Sequence, residues 1–82
     1  MGEDDLDSAE AFCLRSNGIA RPREYVSVVF RNCYYLWRIS RARNDTAGIR
    51  TNERSLRTYL TRVEDFLPEA QAYRDHLSRG DA

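Results

Sequence analysis

The chain contains no lysine, so all thirteen of its Lys/Arg positions are arginine. Nucleotide bias in a GC-rich genome explains this as well as a guanidinium-specific role does, although the two cations are not interchangeable at phosphates. No apolar run reaches the length of about eighteen residues that a membrane helix requires. Histidine occurs once, at His76, and the two cysteines, Cys13 and Cys33, lack the close spacing of a zinc or redox motif. With Asp65 and Glu69, His76 makes only a weak metal set, read as a solvated face. No glycine-rich phosphate loop is present, and the serines and cysteines have no neighbouring histidine to act as base. Neither an enzyme, a cofactor nor a small-molecule substrate is therefore expected.

What remains is a chain of 82 residues with 41% apolar and 11% aromatic content, enough for one small folded domain over residues 1–82. A core this small, carrying Trp37, five tyrosines and three phenylalanines, is expected to be completed by self-association. Met1-Gly2-Glu3-Asp4-Asp5 is acidic, unlike a signal or transit peptide, so a soluble cytoplasmic protein is expected. In that setting Cys13 and Cys33 read as small buried hydrophobes, with a disulfide between them left open.

The most regular stretch runs from Leu56 to Leu77. Leu56, Val63, Ala70 and Leu77 recur every seventh residue, and Tyr59, Phe66 and Tyr73 each follow three later. Leu60 and Leu67 widen this seam on one side. Such spacing keeps one stripe of a helix against a partner along its length. Pro68 lies on the outer side of the seam and must kink or break the helix near Leu67.

Around that seam the sequence predicts a compact all-α domain of three helices, the last two forming an antiparallel hairpin. Residues 1–5 read as a frayed acidic start. A first helix from Asp5 or Asp7 to Asn17 would turn Leu6, Ala9, Phe12 and Cys13 inward and end at a Gly18 cap. The second would open at Pro22 and run to Arg43. Its Tyr25–Phe30 segment resembles a strand, but Glu24, Ser27, Arg31, Arg38 and Arg41 fall on one stripe at helical spacing. Asn44–Gly48 reads as the loop, and Thr51 or Asn52 as the cap of a third helix ending near Ser78, before a tail at 79–82.

Charge is segregated. Residues 1–14 hold five acids and no arginine; residues 15–62 hold eleven arginines against three acids. Arg38, Arg41, Arg43, Arg50, Arg54 and Arg57 crowd the second-to-third helix connection, a patch suited to phosphates or to an acidic protein surface. A helix-turn-helix around Gly18 would place Glu24 and Ser27 at core positions, which argues against it. Tyr34, Tyr35, Trp37, Tyr59, Phe66 and Tyr73 exceed what such a core comfortably hides, and aromatics in excess belong at interfaces. Asn52-Glu53 followed by Leu56-Arg57-Thr58-Tyr59-Leu60-Thr61-Arg62-Val63 resembles the start of the coiled-coil docking segments of modular polyketide synthases. The likeness ends at Val63 and carries no function with it. The resulting expectation is a helical protein-interaction or regulatory module, binding a protein partner or forming a homodimer, with nucleic-acid binding as the alternative.

Overall fold

The computed structural model describes residues 3–63 and 67–79, with side chains from residue 5. Four helices make up the fold: α1 (Glu3–Ala20), α2 (Val26–Ala42), α3 (Thr46–Leu60) and α4 (Pro68–Ser78). The described residues contain no strand. The all-α expectation holds, but the expected three helices are four, and the last expected helix is two.

The long helix divides because Pro68 begins a helix instead of bending one. It occupies the first turn of α4, where a missing N–H has no partner to lose. Leu67 before it is driven to extended backbone, φ −65° and ψ 121°. α3 has already ended at Thr61, and the Arg62 and Val63 amides close onto the Tyr59 carbonyl. The seam nevertheless packs where its spacing predicts. Leu56, Val63, Ala70 and Tyr73 share one buried cluster with Val29, Phe30, Cys33 and Trp37 of α2, and Tyr59, Leu60 and Leu67 pack at its edge. Leu77 departs from the pattern, at 45% exposure. Phe66 lies outside the described residues.

Other boundaries move for local reasons. α1 begins at Glu3, before the expected start, and runs through Gly18 to Ala20. Pro22 does not open a helix: residues 21–24 turn, with the Arg21 amide on the Asn17 carbonyl, and α2 starts at Val26. That turn holds Glu24 at φ 57°, a left-handed conformation that costs a non-glycine residue about 1 kcal/mol. The expected loop at 44–48 shrinks, because Asp45 accepts the Gly48 amide at 3.1 Å and α3 starts at Thr46. Thr51 and Asn52 are not caps; they donate back to the Ala47 and Gly48 carbonyls within the helix.

α2 is the centre. Val29, Phe30, Asn32, Cys33, Leu36, Trp37, Ile39 and Ser40 are buried on it, while Arg31, Arg38 and Arg41 remain exposed as the polar stripe predicts. α1, α3 and α4 each pack against it. α2 and α3 form an antiparallel hairpin, since Asn52 reaches Ser40 near the turn and Glu53 takes the Trp37 indole N–H at 3.2 Å. The expected hairpin therefore exists, but between helices that are not the last two.

Candidate functional site

Two surfaces are built around α2, one apolar and one basic. α1 runs antiparallel along α2, tied at one end by Asn32 Nδ2 donating to Asn17 Oδ1 at 3.0 Å. At the other end Arg43 bridges Asp7 and Glu10. Between these ties lies a groove of about 680 Å³, lined by Leu6, Ala9, Phe12, Cys13, Tyr35, Ile39 and Ala42, with Arg31 and Arg38 on its α2 lip.

Phe12 is not the inward residue expected: it is 65% exposed. Cys13, Asn17 and Ala20 set the inner face, and Phe12 stands one residue, about 100°, round the helix from it. The sequence does carry a signal for this. Leu6, Cys13 and Ala20 form one stripe of period seven, and Phe12 with Ile19 forms a second beside it. The second stripe remains largely uncovered; Ile19 is 59% exposed. Tyr35, half out of the groove, donates its hydroxyl to Glu69 of α4 at 3.1 Å.

Beneath the groove the helices meet through polar atoms. Asn17 Nδ2 donates to Cys33 Sγ at 3.8 Å, and Arg21 spans Cys33 Sγ and the Tyr59 hydroxyl at 3.5 Å each. Both cysteines are free and buried. Burial pushes the Cys13 thiol above its ordinary 9.0, helped by the neighbouring Cys33, and burial likewise raises Cys33 against the lowering effect of Arg21. Protonated, buried thiols are poor nucleophiles, so neither is set for catalysis.

Burial also raises Tyr73 above 10.0, with the Glu53 carboxylate adding to it, and raises Tyr35, with its bond to Glu69 adding to that. All four groups hold their proton more tightly folded than unfolded. Their contribution is therefore complete below the unfolded values and is lost as pH rises through the folded ones. The urea midpoint should hold steady up to about pH 8 and fall progressively above about pH 9. A midpoint unchanged at about pH 11 would mean that these groups are not buried in solution.

The six arginines expected to form one patch are separated. Arg43 is engaged by Asp7 and Glu10, holding α1 down. Arg38 and Arg41 border a cleft towards α4, their guanidinium carbons over the rings of Tyr34 at 6.0 Å and Trp37 at 4.8 Å, and Arg38 also borders the α1–α2 groove. Arg50, Arg54 and Arg57 line a shallow basic surface on α3 with Glu53 and Thr58. Arg57 lies near enough to Tyr73 for its charge to oppose the rise that burial gives the hydroxyl.

Arg38 and Arg41 share a cleft of about 300 Å³ with Tyr34, Trp37, Ala72, Asp75, His76 and Arg79. His76, the weak metal candidate, instead packs its ring edge-on to Trp37 at 4.8 Å. Asp65 of that weak set lies outside the described residues, among which no group of three or more His, Cys, Asp or Glu residues is placed to hold a metal. Arg79, expected in a tail and not in a site, also reaches this cleft. Nothing in its local sequence marks it, because only the break between α3 and α4 brings α4 back to α2. No described helix is long and apolar enough to cross a membrane. Comparison with protein-family models, curated proteins and solved structures finds no match to any of them.

Proposed function

We propose that this is a non-enzymatic helical interaction module that self-associates through its α1–α2 groove. The observation that carries the reading is Phe12, a large aromatic standing exposed beside an apolar groove that its own fold leaves uncovered. The heptad seam, the sequence's own candidate for a self-association surface, is taken up within the monomer core. The groove's lining is mostly apolar, from Leu6, Ala9, Phe12, Cys13, Ile39 and Ala42, and a two-fold axis would set the same patch of each copy against the other.

The wild-type chain is expected to scatter light as twice 9.6 kDa at high micromolar concentration. Phe12→Asp is expected to return it to 9.6 kDa with its helical circular dichroism intact, since Phe12 is outside the core. A wild-type chain that stays monomeric throughout that range would end the self-association reading.

The second reading, nucleic-acid binding, is favoured by Arg50 and Arg54, which are exposed side by side on α3 with no carboxylate partner among the described residues. If they contact phosphates, affinity falls steeply with salt. The triple change of Arg50, Arg54 and Arg57 to Gln then flattens the slope by about 0.9 for each phosphate no longer neutralised. Gel shifts with duplex and single-stranded probes at low salt decide it; the absence of any retained probe leaves the protein-interaction reading alone.

A further inference from the structure

We propose that the cleft between α2 and α4 is a binding site for a phosphomonoester dianion, gripped by Arg38, Arg41 and Arg79 and faced by His76. The first ground is unbalanced charge. Three guanidinium groups converge on one small cleft against a single carboxylate, Asp75. Asp75 already accepts a hydrogen bond from Gln71 Nε2 at 3.0 Å. Among the described residues no carboxylate pairs with Arg38, Arg41 or Arg79. Like charges held together without counter-charge repel, and an anion between them relieves that repulsion. Three positive groups and one negative leave a surplus of two, which suits a dianion.

The second ground is preorganisation. Arg41 lies over the Trp37 ring at 4.8 Å, and Arg38 over Tyr34 at 6.0 Å. Attraction to the ring faces restricts where these guanidinium groups sit before any ligand arrives, and a guanidinium's N–H groups suit two oxygens of one phosphoryl group. The rings beneath are themselves fixed. Trp37 is buried, its indole N–H bound to Glu53, and its ring is braced edge-on by Tyr73 and His76. Side chains already immobilised lose less entropy when they bind.

The third ground is size. A cleft of about 300 Å³ admits a phosphoryl group with a small ester substituent, whereas the buried Trp37 offers no open ring face on which a nucleobase could stack. The ligand class is therefore the phosphomonoester itself, either a free small molecule or a terminal phosphate.

Trp37 is the only tryptophan and His76 the only histidine, so the site carries its own probes. The full chain is titrated with inorganic phosphate and with phenyl phosphate, against chloride at matched ionic strength, following Trp37 fluorescence and the His76 ring-proton resonances. Both phosphates are expected to give saturable changes that chloride does not. Arg41→Gln and Arg79→Gln are each expected to weaken binding about tenfold or more, as loss of a charge-assisted hydrogen bond does. Arg23→Gln, on the exposed turn between α1 and α2, is expected to change nothing. Circular dichroism checks that each variant is folded. A 5′-phosphorylated oligonucleotide that binds where its unphosphorylated form does not identifies a terminal phosphate as a competent source; its failure while phenyl phosphate binds identifies a free one. Non-saturating titrations, or wild-type affinity in both cleft variants, would each overturn the site.

Discussion

Tyr73→Ala should remove about 3–5 kcal/mol of stability, a large share of what the domain holds. Tyr73 is 1% exposed and sits between the rings of Phe30 at 6.3 Å and Trp37 at 5.3 Å, both edge-to-face. Truncating a buried aromatic costs about 3–5 kcal/mol in lost transfer energy and cavity. A domain of this length holds only about 4–12 kcal/mol in total. Tyr73→Phe keeps the ring and gives up only the hydroxyl, a loss of about 1 kcal/mol. Urea titrations followed by Trp37 fluorescence compare the two. Equal midpoints for Ala and Phe would show that the ring does not pack on α2.

Val63→Asp is the second severe change. Val63 is 7% exposed, just after α3 ends, and belongs to the core cluster. A carboxylate there meets apolar side chains and costs several kcal/mol while ionised. The burial that makes it costly also raises its pKa, so the variant binds a proton more tightly folded than unfolded. Its deficit relative to wild type should therefore be smaller near pH 4 than near pH 7, by about 1.4 kcal/mol for every tenfold tightening of proton binding. A deficit independent of pH would mean that position 63 reaches solvent.

The seam is legible in the sequence because its spacing is a property of packing, and it survives even where the helix does not. Leu56, Val63, Ala70 and Tyr73 reach the same core although α3 and α4 are separate. The place of the break, near Leu67, is legible too, but the role of Pro68 is not: proline starts a helix as readily as it stops one. The boundary at Asp45 is hidden because Asp, Thr and Asn all suit a cap, and only the bond to the Gly48 amide puts it at Asp45, inside the expected loop, instead of at Thr51 or Asn52. The site is less legible than the fold. Proximity along the sequence groups Arg43 with Arg38 and Arg41, whereas side-chain partners separate them. Arg79 and His76 join the cleft through tertiary return of the chain, for which the local sequence carries no signal.

The central position of α2 has a consequence for the order in which the molecule opens. α1 is held by α2 through the Asn17–Asn32 contact and the Arg43 bridge, and it buries little beyond Cys13, Asn17 and Ala20. The α2–α3 hairpin, closed by a short turn and filled by Leu56, has no such weak edge. Backbone amides of α1 should therefore exchange with deuterium well before those of α2 and α3, in a partial unfolding that lifts α1 away as a unit. Self-association across the groove would slow that exchange with rising protein concentration, coupling the least stable segment of the monomer to its assembly.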